Sequence, residues 1–273
     1  MTKYARARDM DSWLRDPRIA ARGYAHRWHS IVAAGNGEDA FIELVDQHLH
    51  PDSDVLDLGC GHGEFTLTLA AQCRTIVGIE REPGYLELAK ELAAEQQVEN
   101  VQFYQVNLAG VKDEDRVFAG IPLPQDSIDL FVNRRGPLLR RYLDEALRVA
   151  RRGAVIVGLH PTGKAPAPPW RDQLPEPYRK VLKAFSFDEV TGWVIDPLRA
   201  VGISDYSLWW IDVPEFLRTP YELYARLGGS QIADAPDYQD IEPQLAKIVN
   251  QYGTSQGIVL RHQRLLWQAC LSE

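Results

Sequence analysis

The feature that most constrains this chain is a glycine-rich turn between a short apolar run and a helix-forming segment. Residues 55–58 read Val-Leu-Asp-Leu, residues 59–63 read Gly-Cys-Gly-His-Gly, and a helical pattern follows directly. This order of strand, glycine turn and helix is the arrangement that holds nucleotide-like cofactors in α/β proteins. Glycine adopts positive φ and lets the backbone approach a ligand where a Cβ would collide. The turn therefore predicts an α/β fold with a cofactor site.

The glycine spacing and the charges around the turn distinguish between cofactors. A dinucleotide fingerprint needs its third glycine at the position of Glu64, but here that glycine comes one residue earlier, at Gly63. Three further carboxylates, Asp57, Glu80 and Glu82, surround the turn. They would repel a pyrophosphate, whereas the sulfonium and ammonium groups of S-adenosylmethionine suit an acidic site. The sequence favours this methyl donor over a nicotinamide dinucleotide.

A second buried strand is predicted over residues 75–80, and it ends in Glu80, 21 residues beyond Gly59. An acid about 20 residues beyond the glycines accepts hydrogen bonds from ribose hydroxyls. Glu80 is therefore the predicted ribose ligand.

At this point the chain resembles the class I S-adenosylmethionine-dependent methyltransferases. The matching residues are Asp57, Gly59, Gly61, Gly63, Glu80 and the run Asp129-Leu130-Phe131-Val132. The resemblance covers residues 38–160 well and the rest in outline. It implies a Rossmann-like, doubly wound sheet of seven strands in the order 3-2-1-4-5-7-6, with the last strand antiparallel and a helical cap. It also implies that the loop glycines wrap the methionine end of the cofactor.

Strand patterns and helix patterns alternate along the chain, as a parallel sheet requires. The predicted strands are residues 55–58, 75–80, 101–106, 127–132, 154–159, 204–213 and 258–270. The predicted domains are an N-terminal helical cap over residues 1–37 and a methyltransferase domain over residues 38–273, with cap insertions at about 161–187 and 219–253. Six prolines between Pro161 and Pro177 predict a stiff loop without regular structure.

The predicted cofactor site joins the glycine loop to neighbouring strand ends. Its residues are Asp57, Gly59, Cys60, Gly61, Gly63, Glu80, Arg81, Asn107, Leu108 and Asn133. The resemblance implies adenine contacts for Asn107 and Leu108, although relatives often have an acid where this chain has Asn107. A turn-forming asparagine is an equal interpretation of that residue. Cys60 is interpreted as a small filler beside the glycines in preference to a reactive thiol.

Residues 133–137, Asn-Arg-Arg-Gly-Pro, follow the fourth predicted strand, next to the position of the transferred methyl. Relatives that methylate nucleic-acid bases carry Asn/Asp-Pro-Pro-aromatic there, so this segment counts against base methylation. Arg134 and Arg135 are candidates to bind a substrate carboxylate or phosphate, with structural pairing to acids as the alternative. His160, at the end of the fifth predicted strand, is the candidate general base, although a single histidine is more often structural.

Composition limits the class of protein and its partners. The 273 residues carry a net charge of −8, which disfavours nucleic acid as a partner because phosphates need neutralising cations. The chain has no run of 18 apolar residues and no apolar secretory segment at its start, and its three cysteines form no C-x-x-C pair. We expect a cytoplasmic protein without a membrane partner. His26 and His29 lack a third ligand, so no metal is predicted.

Together these features predict a methyltransferase that transfers the methyl of S-adenosylmethionine to an oxygen, nitrogen or carbon of a small molecule and leaves S-adenosylhomocysteine. Aromatic residues are concentrated in the expected cap, where core packing accounts for most of them and a minority are expected to line a substrate pocket. The alternatives are a methyltransferase acting on RNA or protein, which needs an open groove, a non-catalytic binder of the cofactor, and a nicotinamide oxidoreductase. The sequence does not indicate the methyl acceptor or the oligomeric state.

Overall fold

The computed structural model describes residues 38–106, 120–134, 140–161, 167–182, 187–229, 232 and 234–271. The predicted N-terminal cap of residues 1–37, with His26 and His29, lies outside the described residues. None of the helices within these ranges has the length and apolar content needed to cross a membrane.

Seven strands form one sheet in the order β3-β2-β1-β4-β5-β7-β6. The strands are β1 (Asp54–Leu58), β2 (Thr75–Glu80), β3 (Val101–Gln105), β4 (Ile128–Arg134), β5 (Ala150–Pro161), β6 (Tyr206–Leu217) and β7 (Ile258–Cys270). Strand β7 runs antiparallel to both β5 and β6, whereas the other pairs are parallel. The sheet predicted from the resemblance is thereby confirmed, including its order and its antiparallel last strand.

Eight α-helices lie within the described ranges. They are α1 (Glu38–Asp46), α2 (Glu64–Ala70), α3 (Pro83–Glu95), α4 (Arg140–Val149), α5 (Glu176–Val181), α6 (Phe187–Ala200), α7 (Pro220–Arg226) and α8 (Tyr238–Tyr252). Helices α3 and α7 each begin with proline, whose fixed φ suits the first helical turn and whose missing N–H has no intrahelical partner there.

The central strands are buried on both faces, as expected for parallel strands covered by helices. One face, with Val55 and Leu130, packs in the cluster that includes α1 and α2, and we call it the α2 face. The other, with Leu56 and Phe131, packs in the cluster that includes α4 and α6, and we call it the α6 face. Because side chains alternate along a strand, sequence parity assigns each residue at the strand ends to one of these faces.

Strands β6 and β7 extend past the end of their neighbour. Their pairing continues to Leu217 and Ile258, whereas β5 ends with Pro161 opposite Arg264. Residues 212–217 and 258–263 thus form a two-stranded ribbon that projects beyond the carboxyl edge of the sheet, where the parallel strands end. We call this segment the β6–β7 ribbon.

A separate hydrophobic cluster lies at this ribbon. It combines residues from both predicted insertions, among them Trp170, Tyr178, Leu223 and Leu245, with Leu217 and Leu260 of the ribbon. We call it the cap cluster. The prediction of a proline-rich loop without regular structure is wrong for part of its length, because a 3₁₀ helix (Arg171–Gln173) and α5 lie there. Proline just before α5 and in its first turn is compatible with a helix.

A buried charged group joins α7 to the ribbon. Glu215 is fully buried and accepts hydrogen bonds from Arg226 Nε, at 2.9 Å to Oε1 and 2.8 Å to Oε2. His262 Nε2 lies 2.5 Å from Glu215 Oε2. Burial raises the pKa of Glu215, but the contacts with His262 and Arg226 outweigh it and hold that pKa below its ordinary value. Glu215 thus stays ionised between its two partners.

Candidate functional site

The glycine loop connects β1 to α2 and is anchored on β2. Gly59, Gly61 and Gly63 have φ of 78°, 56° and 77°, in the left-handed region that favours glycine. The backbone N–H groups of Gly59 and Cys60 both donate to the Ile79 carbonyl at 2.9 Å. These two hydrogen bonds to β2 fix the start of the loop at the carboxyl edge of the sheet.

The three glycines serve different purposes. A Cβ placed on Gly59 or Gly61 would meet no atom within 4 Å, so the space beside them is open to a ligand. A Cβ on Gly63 would lie 2.8 Å from the Phe103 ring and 2.9 Å from Ala89 Cβ. Gly63 therefore allows close packing of the start of α2, and its predicted contact with the cofactor stays a prediction.

Glu80 ends β2, and its carboxylate organises the loop. It accepts hydrogen bonds from the backbone N–H groups of Gly61 (3.1 Å), Arg81 (2.7 Å) and Glu82 (3.0 Å). A carboxylate offers about four acceptor positions, so one remains for a ribose hydroxyl. The loop-holding role was not visible in the sequence. The Arg81 side chain pairs with exposed Glu82, at 2.9 Å from Nε to Oε1.

Asp57 lies on β1 just before the loop and is only 2% exposed. Thr66 of α2 donates from Oγ1 to Asp57 Oδ2 at 2.7 Å. Burial raises the pKa of Asp57 to about 6, against the opposing effects of the Thr66 hydrogen bond and the Arg134 charge. Desolvation favours the neutral acid, so a carboxylate here gains from a cationic ligand.

Cys60 packs as a small neutral side chain. Its Sγ lies against Gly78 of β2, at 2.8 Å from where a Cβ of that residue would be. Burial raises the pKa of the Cys60 thiol far above its ordinary value, and the nearby Asp57 and Glu80 charges add to the rise. Since the thiolate is the reactive form, this setting agrees with the filler interpretation.

Asn133 lies near the end of β4 on the α6 face. It is 1% exposed, and its Oδ1 has no hydrogen-bond partner among the described residues. A buried amide oxygen is normally hydrogen-bonded, so this atom is a candidate ligand contact. Asn107, Leu108 and Arg135, the other predicted residues at the strand ends, lie outside the described residues.

Arg134 lies on the opposite face, in a structural ion pair. Its Nε donates to Glu38 Oε2 at 2.7 Å, and Glu38, the first residue of α1, is fully buried. The guanidinium also lies over the Phe65 ring, 5.5 Å from its centroid. Arg134 Nε is therefore engaged in the structural pairing that was the alternative interpretation. Substrate binding by Arg134 stays a prediction.

His160 is on β5 and is 6% exposed. Its Nδ1 accepts a hydrogen bond from Trp267 Nε1 at 3.1 Å, which leaves the proton of the neutral ring on Nε2. Burial lowers the pKa of His160 to about 4. A neutral histidine whose accepting nitrogen is occupied is poorly suited to remove a proton, so the geometry does not support the predicted general base.

The loop fits S-adenosylmethionine in its shape and charge. Open space beside Gly59 and Gly61 admits a ligand to the backbone, while Glu80 and Asp57 suit ribose hydroxyls and a cation. This sheet and this loop define the class I S-adenosylmethionine-dependent methyltransferases. The chain belongs to this family: residues 49–184, about half of its length, match the family model described as "Methyltransferase domain". S-adenosylmethionine is accordingly its cofactor.

Solved structures share the fold. A functionally unknown protein from Deinococcus radiodurans R1 superimposes with a TM-score of 0.59 at 21% identity, over 93% of this chain and 96% of that one. The YcgJ protein of Bacillus subtilis gives a TM-score of 0.55 at 16% identity, over 86% of this chain and 99% of that one.

Two curated relatives match short segments of the chain. The 23S rRNA (uracil(1939)-C(5))-methyltransferase RlmD of Francisella tularensis subsp. novicida is 40% identical over 67 residues, 24% of this chain and 14% of that protein. RlmD of Pasteurella multocida is 48% identical over 70 residues, 26% of this chain and 16% of that protein. The chain therefore spans about a seventh of the length of these relatives.

Proposed function

We propose that this protein transfers the methyl group of S-adenosylmethionine to an oxygen, nitrogen or carbon nucleophile of a small molecule. The observation that carries the proposal is the cap cluster. Two segments that are distant in sequence pack together with the β6–β7 ribbon beyond the carboxyl edge, on the side where α/β sheets bind ligands. A layer of this kind beyond the ligand-binding edge suits an enclosed small molecule better than a long polymer.

The chain's residues supply binding and alignment in this proposal. Bound S-adenosylmethionine supplies an activated methyl on a sulfonium, so the rate depends mainly on alignment of the nucleophile with that methyl. Gly59 and Gly61 let the loop backbone approach the donor, and Glu80 holds the loop while offering an acceptor to ribose. The buried amide oxygen of Asn133 accepts a hydrogen bond from a bound ligand.

We assign no general base, because the accepting nitrogen of His160 already serves Trp267. A cytoplasmic location is part of the proposal and rests on the three free cysteines, which suit a reducing compartment.

RNA methylation is the second candidate, because RlmD shares a segment of this chain. The net charge of −8 weighs against it, since RNA binding depends on cationic contacts to phosphates. One assay separates the candidates: formation of S-adenosylhomocysteine is measured with a panel of phenols, amines and 1,3-dicarbonyl compounds, with 23S rRNA transcripts, and with peptides.

We expect turnover in the small-molecule panel alone. Turnover with the transcripts or the peptides in place of the small molecules would contradict the proposal. Tight cofactor binding without product in any arm would favour a non-catalytic binder.

A further inference from the structure

Three neutral polar side chains with unmet hydrogen-bonding capacity lie on neighbouring strands at the carboxyl edge. Asn133 of β4 is 1% exposed and His160 of β5 is 6% exposed, while Gln263 belongs to β7. The amide oxygens of Asn133 and Gln263 are buried and have no hydrogen-bond partner among the described residues. Because buried polar atoms are normally paired, these side chains are candidates to contact the polar groups of a ligand.

Strand pairing places the three side chains on one face of the sheet. Asn133 is opposite Gly158 of the parallel strand β5, and His160, two positions further on, shares the face of Gly158. His160 is opposite Leu265 of β7, and Gln263 is again two residues away on that strand. All three lie on the α6 face, in a row that steps from β4 across β5 to β7. We call this set the polar row.

The polar row begins beside the glycine loop and leads away from Glu80. Asp57 of β1 is opposite Val132 of β4. Asn133 is therefore level with the residue that precedes Gly59. Glu80, the proposed ribose acceptor, ends β2 on the other side of β1. A molecule held along the polar row thus lies next to the loop without competing with a ribose for Glu80.

Packing against Trp267 fixes the position of the proton on His160. Trp267 is fully buried and its ring covers Gly158, where a Cβ would overlap it. Its Nε1–H donates to His160 Nδ1 at 3.1 Å, so the neutral imidazole carries its proton on Nε2. Nε2 makes no hydrogen bond with a residue in the described ranges. His160 therefore offers one oriented N–H donor to a ligand.

Donor and acceptor positions in the polar row define the molecule that it suits. The His160 N–H suits a carbonyl oxygen, and the Asn133 amide oxygen suits a hydroxyl or an N–H. With strands about 4.8 Å apart and a rise of about 6.6 Å over two residues, their Cα atoms are roughly 8 Å apart. Side chains at that separation can hold adjacent polar groups of one small molecule.

The charges around the polar row favour a neutral ligand. Arg134 lies on the opposite face, where its Nε binds Glu38. Asp212 is opposite Gln263 but already pairs with Arg261, and both of these side chains are exposed. Burial lowers the pKa of His160 to about 4, so the imidazole is neutral. The described part of the row therefore suits a neutral group better than a carboxylate or a phosphate.

We propose that His160 and Asn133 select the methyl acceptor, and that this acceptor is a neutral small molecule whose carbonyl oxygen neighbours a hydroxyl or N–H group. The inference rests on the proposed methyl transfer and names its substrate class. His160 donates to the carbonyl oxygen, Asn133 accepts from the neighbouring group, and Trp267 is a positioning residue for His160. The amide oxygen of Gln263 extends the polar row for a larger acceptor.

Nuclear magnetic resonance of the full chain, labelled with ¹⁵N-histidine, tests the donor without any turnover. We expect His160, assigned by the loss of its signals in His160→Asn, to be a neutral ring with its proton on Nε2 from pH 6 to pH 8. Adding 2-hydroxybenzamide to the complex with S-adenosylhomocysteine should shift the Nε2 proton downfield. A charged ring, or a proton on Nδ1, would overturn the role of His160.

His160→Asn and His160→Gln separate the two nitrogens of the ring. Asparagine keeps an acceptor near Nδ1 for Trp267, whereas glutamine keeps an N–H near the position of Nε2. We expect His160→Asn to lower kcat/KM about tenfold or more, mainly through KM, and His160→Gln to keep most of it. A purely structural histidine would give the reverse order. His48→Gln, at a residue that pairs with Gln268 at the amino end, is the control and should leave kcat/KM unchanged.

Matched acceptors test the substrate class. Formation of S-adenosylhomocysteine is measured with 2-hydroxybenzamide and benzoylacetone, which are neutral carbonyl compounds, with the anion 2-hydroxybenzoate, and with phenol, which lacks the carbonyl. We expect kcat/KM for a neutral carbonyl compound to exceed that for 2-hydroxybenzoate and for phenol by about tenfold or more.

The possible outcomes are distinct. Preference for 2-hydroxybenzoate or phenol would overturn the substrate class and leave methyl transfer in place. An equal or larger loss in His160→Gln than in His160→Asn would overturn the donor role of His160. Absence of product from every small molecule would overturn the proposed function and this inference together.

Discussion

Strand β1 carries a buried aspartate at each end, and the surroundings shift the pKa values of the two in opposite directions. At the amino end, Asp54 accepts hydrogen bonds from Thr75 (2.7 Å), from Arg74 Nε (2.9 Å) and from Arg151 Nη2 (2.7 Å). Hydrogen bonds from Arg74, more than any other contact, hold the pKa of Asp54 well below its ordinary value. Three residues further on, burial raises the pKa of Asp57 to about 6.

The opposite pKa shifts reflect different surroundings: polar groups at the amino end pair with one another, whereas those at the carboxyl end are candidates to contact a ligand. A cavity of about 540 Å³ lies at the amino end, lined among others by Arg74, Asp129 and Arg151. Arg151 joins Asp54 to Asp129, so these charges are paired with one another and support the fold. At the carboxyl end, Asp57 Oδ1 and Asn133 Oδ1 have no partner in the described part of the chain. Unmet hydrogen-bonding capacity, more than cavity volume, favours the carboxyl end as the candidate ligand site.

The largest effect should follow from closing the open space at the loop. Gly61→Val places a branched side chain at φ 56°, in a position where a Cβ now meets nothing within 4 Å. We expect affinity for S-adenosylhomocysteine to fall about a hundredfold or more, because the side chain takes the ligand's space. Calorimetry measures this loss.

Gly202→Val is the matched control. Gly202 also has positive φ and open space around it, but it follows α6, away from the glycine loop. The Gly202→Val variant should have the same backbone strain and bind S-adenosylhomocysteine as the unmodified protein does. Equal affinities for the two variants would refute the close approach of a ligand to Gly61.

Glu80→Ala should have the next largest effect on binding. It removes the proposed acceptor for ribose and the hydrogen bond that holds Gly61 of the loop, together with two hydrogen bonds to the backbone just after β2. We expect S-adenosylhomocysteine to bind about 2–3 kcal/mol more weakly in calorimetry. The exposed neighbour Glu82 provides a control, since Glu82→Ala should bind within about threefold of the unmodified protein. If Glu80→Ala binds as Glu82→Ala does, Glu80 holds neither the loop nor the ribose.

The aspartates at the two ends of β1 should respond oppositely in stability. Asp54→Asn should lower the free energy of unfolding at pH 7 by about 2 kcal/mol, because it breaks a partly exposed ion-pair network. The pKa of Asp54 is lowered on folding, so its contribution is present above the unfolded pKa near 4 and is lost as the pH falls below it.

Asp57 has a folded pKa above its unfolded one, so the folded state binds the extra proton. Stability therefore falls as the pH rises from about 4 to about 6 and changes no further above that. Asp57→Asn should remove this cost and raise stability at pH 7 by about 1–2 kcal/mol. Urea unfolding at several pH values measures both variants, and a loss of stability in Asp57→Asn would contradict the burial argument.

The smallest effects should come from a pair of asparagines. The side chain of Asn100 donates to the carbonyls of Ala70 (2.8 Å) and Cys73 (3.1 Å), whereas Asn133 Oδ1 has no partner. Asn100→Ala should cost about 1 kcal/mol of stability and leave cofactor affinity unchanged. Asn133→Ala should keep its stability and weaken donor or acceptor binding by about 1 kcal/mol. Urea denaturation measures the stability of both variants, and calorimetry measures their cofactor affinity. A stability loss in Asn133→Ala, or a binding loss in Asn100→Ala, would contradict these roles.

Local signals in the sequence were sufficient to predict the glycine loop and the strands that flank it. The apolar run before Gly59 predicts β1, and the position of Glu80 at the end of the second predicted strand follows from spacing. The seven-strand order came from the resemblance, since spacing does not fix which strands pair. The proline-rich segment was misjudged because the residues that bury Trp170 and Tyr178 come from a distant part of the chain.

Long-range pairings explain what the sequence could not show at the site. Arg134 and Glu38 are 96 residues apart, and His160 and Trp267 are 107 apart, so no local pattern predicts either contact. The packing role of Gly63 depends on Phe103 of β3, which has no fixed spacing from the loop. Pairing partners decide whether a polar residue is structural, and they are set by the tertiary fold.

The buried Glu215 group has a consequence for how such enzymes diversify. Because Arg226 and His262 bind the same carboxylate, α7 is tied to the β6–β7 ribbon, at a distance from the strands that carry the glycine loop. The cap cluster, which we propose encloses the acceptor, is therefore held by contacts separate from those that hold the glycine loop. Under the proposed function, substitutions in the cap cluster would change the choice of acceptor without altering the loop at Gly59, Gly61 and Glu80.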